Sequence, residues 1–225
     1  MYHNTMSMAT GEDDLHWKNL YSATSGDLDL KRLEEAYKGW SETYDEDQVK
    51  MKFNGPHQAA QKLSSLMADK SKKILDVACG TGGVGKELHS QGYVNIDGVD
   101  LVQDMLTHAE QTGVYSRLEA CDVIGQGISC PDGTYDAIVC VGAFNQGNIT
   151  QAVFPELLRV AKKGCIILIV MREAFVYTCP DFKNGQLDTD ILMRAQNGIW
   201  KYTLRETVPK FIGDLSGLLY AMEVQ

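Results

Sequence analysis

Short, nearly continuous apolar runs alternate along this chain with stretches whose apolar residues recur at three- and four-residue steps. The runs predict strands at Lys73–Val77, Val94–Asp100, Arg117–Cys121, Tyr135–Val141 and Cys165–Met171. The periodic stretches predict helices: one carries Val84 and Leu88 and ends near Gly92, and one runs from Val102 to Thr112 and stops at Gly113. Another runs from Ala152 to Lys163 with Gly164 as its C-cap. Five alternating β-α units follow from this pattern.

Outside the alternating region the pattern differs. Ahead of it, Leu30, Leu33, Tyr37, Trp40 and Tyr44 form one stripe, predicting a single helix. Gly55-Pro56 breaks the chain before a second helix with Ala59, Leu63, Leu66 and Met67 on its inner face. Two helices are therefore expected before the first strand. Near the end the period falls to two, with Trp200, Tyr202 and Leu204 alternating with Lys201, Thr203 and Arg205, and Gly217–Val224 finishes the chain as another strand. With no helix between them these two strands should pair antiparallel. Residues 1–28 are polar and broken by Gly11-Glu12-Asp13-Asp14 and Ser25-Gly26-Asp27, so they are expected to be largely disordered.

The 225 residues suffice for one sizeable core, which gives a single domain over 29–225, with 29–70 as a helical extension or lid. A formal charge of -9 argues against a broad nucleic-acid surface. The six cysteines are scattered without a C-x-x-C pair or a histidine at zinc spacing, so no metal site and no disulfide framework is expected. No window approaches the ~20 apolar residues of a membrane span, and no signal peptide is evident. A cytoplasmic protein is the expectation.

Candidate chemistry concentrates where the first strand ends. Asp76-Val77-Ala78-Cys79-Gly80-Thr81-Gly82 passes from an apolar run into a glycine turn, which lets backbone amides approach a small ligand. Gly80, Gly82 and Gly85 also satisfy G-x-G-x-x-G, the dinucleotide fingerprint. Asp76, however, would repel a pyrophosphate and suits the ammonium and sulfonium of S-adenosylmethionine. Asp100, twenty residues past Gly80 at the close of the second strand, is placed to accept both hydroxyls of a ribose; the alternative is a cap on the following helix. Asp122 could meet an adenine amino group with Val123 on the ring, or simply make a turn. Trp40 and Tyr44 could cover the ligand.

Taken together, Ile74–Gly82, Gly98-Val99-Asp100, Cys121-Asp122-Val123, Tyr135–Val139 and the helix into Gly164-Cys165-Ile166-Ile167 resemble successive motifs of class I S-adenosylmethionine-dependent methyltransferases. Tyr37–Asp45 with Gly55-Pro56 resembles one methyltransferase-like branch of that family. The resemblance implies a Rossmann-like fold: a seven-stranded, mostly parallel sheet with a C-terminal antiparallel hairpin and extra N-terminal helices. It implies S-adenosylmethionine as cofactor, S-adenosylhomocysteine as product, and a small-molecule or protein acceptor. Its cofactor site would comprise Trp40, Tyr44, Asp76, Ala78, Gly80, Gly82, Asp100, Leu101, Asp122, Val123 and Val141. Ala78 departs from the glycine common at its position, and Gly142-Ala143-Phe144-Asn145 lacks the signature of amino-methylating enzymes acting on adenine or glutamine. No general base stands out, since His57, His89 and His108 are isolated in sequence. Asn145, Gln146, Asn148, Arg172 and Tyr177 follow strands and are candidates for the acceptor rim. Two other readings remain open at this point: a non-catalytic binder of the same ligand, and an NAD(P)-dependent oxidoreductase.

Overall fold

The computed structural model describes residues 15–24 and 28–225. Four helices come first: α1 (Leu15–Ala23), α2 (Leu30–Trp40), α3 (Tyr44–Lys50) and α4 (Gly55–Leu66). There follow β1 (Ile74–Val77), α5 (Gly83–Ser90), β2 (Ile96–Asp100), α6 (Gln103–Gln111), β3 (Arg117–Ala120), β4 (Tyr135–Val141), α7 (Phe154–Val160) and β5 (Ala161–Arg172). The chain ends with α8 (Phe175–Thr178), α9 (Gln186–Gln196), β6 (Trp200–Ile212) and β7 (Leu215–Val224).

All seven strands join one sheet in the order β3-β2-β1-β4-β5-β7-β6, with β7 antiparallel to both neighbours and the other pairings parallel. The mostly parallel sheet with its C-terminal hairpin is the expected fold. Alternate residues of the central strands feed two cores. Leu75, Val77, Ile167 and Ile169 pack with Phe154 and Leu157 on one face, while Ile74, Leu168 and Val170 pack with Leu63, Val84 and Leu88 on the other. Burial on both faces is why these strands read as continuous apolar runs. The chain leaves β1 toward β2 and β3 and then returns to β4 on β1's other side. That reversal opens a crevice at the carboxyl ends of the strands.

Several expectations are corrected. Leu15–Ala23, expected to be disordered, is a helix: Trp17 is buried and stacks on Tyr21, and the Asn19 amide donates to the buried Asp47 of α3 at 3.1 Å. Tertiary packing supplies what its local composition lacks. The rest of the 1–28 expectation lies outside the described residues, apart from Thr24 and Leu28. The stripe ending at Tyr44 is two helices rather than one, because the Ser41 amide and hydroxyl both turn back to the Lys38 carbonyl and the chain then re-enters helix at Tyr44. Among the described residues four helices, not two, precede β1. The helix expected over Ala152–Lys163 is helical only from Gln151 to Val160, since Ala161 is already paired with Tyr135 of β4. Gly164, with φ 80°, lies within β5 instead of capping a helix. Finally, β3 reaches β4 through a loop without a helix, so the β-α alternation is not fivefold. Arg159 holds that loop by donating to the carbonyls of Ile128 and Cys130, at 2.8 and 2.9 Å.

Candidate functional site

Each wall of the crevice comes from a different part of the chain. Its floor is the turn after β1, at Ala78 and Gly80. One side is the end of β2 and the loop after β3, with Asp100, Leu101, Asp122 and Val123. The other is the ends of β4 and β5, with Val141, Asn145, Asn148 and Arg172. Trp40 and Tyr44 overhang it from α2 and α3, and Phe211 and Ile212 reach it from the end of β6. An isolated bridge between Phe53 and Ile212 ties the helical cover to the hairpin. Gly55 permits that junction, because a Cβ there would lie 2.6 Å from Phe211.

Asp100 is buried, and both of its oxygens are engaged: Oδ2 accepts from the Gly80 amide at 2.8 Å and Oδ1 from the Val102 amide at 2.9 Å. These bonds join the end of β2 to the turn after β1. Each oxygen can accept a further hydrogen bond. Burial pushes this carboxyl above the usual carboxylate range, with the amides of Val102 and Gly80 pulling back. Asp122 makes the turn weighed for it, Oδ1 accepting the Ile124 amide at 3.0 Å, and it also lines the crevice. Gly80, at φ 54°, has open space where a Cβ would stand. A buried carboxylate at the crevice wall with room for further donors, an open glycine, and the apolar side chains of Leu101 and Val123 beside Asp122 fit an adenosyl ligand.

Nine of the eleven expected residues border the crevice. Asp76 and Gly82 do not. Asp76 is fully buried beneath the turn, its Oδ2 accepting from the Tyr115 hydroxyl at 2.7 Å while Oδ1 has no hydrogen-bond partner. It therefore supports the site from below and does not face a ligand cation. Burial pushes its carboxyl up to about 7, partly opposed by Tyr115. Gly82 has the left-handed φ of 91° and faces Tyr115, whose ring would lie 3.0 Å from a Cβ there; at Gly85 the corresponding distance is 2.4 Å. Two of the three fingerprint glycines thus make room for a tyrosine of the fold, and only Gly80 faces the crevice.

Tyr115, which supports the turn from beneath, is marked by no motif, and Tyr37 in the crevice wall shows in the sequence only as part of a helix stripe and of the Tyr37–Asp45 motif. Burial raises the Tyr37 phenol to about 12 and the Tyr44 phenol further still, so both stay protonated near neutrality. The three isolated histidines are elsewhere: His57 pairs with Glu87 at 3.0 Å, His108 lies 3.9 Å from Glu42, and His89 is exposed on α5. Of the rim candidates, Asn145, Asn148 and Arg172 border the crevice, whereas Gln146 and Tyr177 do not. No helix among the described residues is long and apolar enough to cross a membrane.

Residues 74–164, the segment that builds the floor and both side walls up to β5, match the methyltransferase domain family. These residues belong to that family. The chain is 35% identical to human methyltransferase-like protein 27 over 152 residues, 67% of this chain and 62% of that protein. It thus spans less than two thirds of the length of this relative. Among solved structures, an S-adenosylmethionine-dependent methyltransferase from Mesorhizobium loti superposes with a TM-score of 0.57 at 14% identity, covering 75% of this chain and 100% of that one. The [4+2]-cyclase SpnF superposes equally well, with a TM-score of 0.57 at 15% identity over 75% and 80% of the two chains. At such identities the likeness establishes the fold alone.

Proposed function

We propose that this protein is an S-adenosylmethionine-dependent methyltransferase whose acceptor enters beside the ends of β4 and β5. The observation that carries the reading is Asp100 at the close of β2, tied to the glycine turn and facing a crevice within a methyltransferase domain. When bound, S-adenosylmethionine supplies an activated methyl group: the acceptor's lone pair forms the new bond as the bond to sulfur breaks and its electron pair stays on sulfur.

The protein's task is then to orient two molecules and exclude water. Asp100 would hold the ribose hydroxyls, Leu101 and Val123 the base, and the open backbone at Ala78 and Gly80 the methionine end. Trp40 and Tyr44 would exclude water from above. Among the described residues, no crevice side chain is set up as a base at neutral pH on the acceptor side, where Asn145, Asn148 and Arg172 stand. This favours an acceptor whose reacting atom needs no prior deprotonation.

Calorimetric titration with S-adenosylmethionine, S-adenosylhomocysteine and NAD tests the reading. Both adenosyl ligands should bind and NAD should not. Asp100→Ala should weaken adenosyl binding by about 2 to 4 kcal/mol, on the order of 30- to 1000-fold, from two hydrogen bonds to a charged group. Unchanged affinity in a folded variant would remove Asp100 from the site, and binding of NAD alone would overturn the assignment.

A further inference from the structure

Arg172 closes β5 and borders the crevice. Every other arginine pairs with a carboxylate: Arg32 with Asp29, Arg117 with Glu119, Arg159 with Glu156, Arg194 with Asp190 and Arg205 with Asp188. Among the described residues Arg172 has no such pair, and its buried Nε has no hydrogen-bond partner. Its neighbours are neutral: the Tyr21 phenol, which hydrogen-bonds it, and the Phe175 ring, 5.7 Å from the guanidinium. The adjacent acid, Glu173, is turned away and accepts from Thr207 at 2.9 Å. A half-buried guanidinium with a buried, unpartnered Nε and no anion beside it is costly, and the missing partner is one that a ligand can bring.

Position decides which ligand. Asp100 ends β2 and Arg172 ends β5, three strands along the sheet, or about 14 Å at the usual strand spacing. The acceptor side is therefore the end of the crevice where Arg172 stands. Around it the wall is apolar, with Phe175, Ile149 and Ala143, relieved by Asn145 and Asn148. Arg172 is the sole cation lining the crevice among the described residues. One planar fork matches one carboxylate, whereas a phosphate dianion would call for further donors.

Resting on the methyltransferase reading above, we propose that the acceptor is a small molecule with an apolar body and a carboxylate, and that Arg172 holds this carboxylate.

The test uses the full chain, its Arg172→Gln and Arg172→Lys variants, and two measurements. Titration with S-adenosylhomocysteine should give affinities within threefold of one another for wild type and Arg172→Gln. Then, with S-adenosylhomocysteine saturating, melting midpoints are read with phenylacetate, octanoate and indole-3-acetate, with their primary amides, and with inorganic phosphate. At least one carboxylate should raise the wild-type midpoint by several degrees while its amide does not. Arg172→Gln should abolish that shift, and Arg172→Lys should keep part of it. Without ligands, Arg172→Gln should melt no lower than wild type, because it removes a charge that lacks a partner.

A tenfold or greater loss of S-adenosylhomocysteine affinity in Arg172→Gln would assign the residue to the cofactor and overturn the proposal. So would equal behaviour of every acid and its amide, or a shift produced by phosphate alone. Failure of the wild type to bind S-adenosylhomocysteine would instead defeat the underlying methyltransferase reading, and the proposal with it.

Discussion

Tyr115 fills the space left by Gly82 and Gly85, donates to Asp76 and accepts the Gly85 amide at 3.2 Å. The glycine turn is thus shaped around a side chain of the protein as much as around a ligand. This arrangement has a pH signature. The Asp76 carboxyl sits at about 7 in the fold, raised by burial from an ordinary value near 4 when unfolded. Between those limits the folded state holds more protons than the unfolded one, so this group's contribution to stability falls as pH rises from about 4 to about 7 and is level above that. Melting of wild type and Asp76→Asn at pH 5 and pH 8 should show the wild type losing more across the interval, by a few kcal/mol at most. Parallel pH dependence of the two proteins would contradict a raised Asp76. A second residue-scale prediction concerns Ala78, which occupies the left-handed region at φ 55°. Ala78→Gly relieves about 1 kcal/mol of backbone strain, partly offset by the greater freedom of glycine in the unfolded chain. Chemical denaturation should find the variant as stable as wild type, or more so by up to about 1 kcal/mol.

Among the elements, the helical cover depends on one carboxylate. Asp47 of α3 accepts the Trp40 indole of α2 at 2.8 Å and the Asn19 amide of α1 at 3.1 Å. Burial alone would raise its carboxyl, yet the hydrogen bonds from Trp40, Asn19 and Lys50 outweigh this and hold it below the usual carboxylate range. Its contribution is therefore present above the ordinary carboxylate pKa and lost as pH falls through the lower folded value, the reverse of Asp76. Asp47→Ala leaves the buried Trp40 indole and the half-buried Asn19 amide unsatisfied and should destabilise the protein by about 2 to 4 kcal/mol. Because Trp40 borders the crevice, S-adenosylhomocysteine affinity should fall as well. Loss of stability at pH 7 with unchanged ligand affinity would mean that the cover does not contribute to the site.

For the molecule as a whole, the crevice unites the start of the described chain with its end: Leu20 of α1 and Ile212 of β6 both border it. A ligand seated there should stabilise the fold as a unit. At a hundred times its dissociation constant, S-adenosylhomocysteine should contribute about 2.7 kcal/mol, raising the melting midpoint by about 5 to 10 °C in a chain of this size. A midpoint unmoved at saturation would mean that the ligand binds the folded and unfolded chains alike.

The order of strands and helices from β1 to β5 was legible in the residues because each buried strand is an uninterrupted apolar run and each helix shows its stripe. The C-terminal hairpin was legible in its switch to a period of two. Asp100, Asp122 and Gly80 could be placed at the crevice because a β-α-β unit puts the carboxyl ends of neighbouring strands side by side. Local pattern could not settle what packing decides. The helix at Leu15–Ala23 exists through Trp17 and Asn19 meeting α3, and Ala161 leaves the helix because Tyr135 is there to pair with it. Asp76 was assigned to the ligand on its charge and Gly82 on its place in the glycine turn, and a tyrosine thirty residues from Gly85 packs against both in space. Sequence by itself determined where the strands run and that the glycine turn opens at their carboxyl ends, since strand burial and β-α-β order show in local pattern. Which side chains face the crevice, and which one carries an unanswered charge there, was decided only by the tertiary structure. Those properties depend on contacts between elements far apart in the chain.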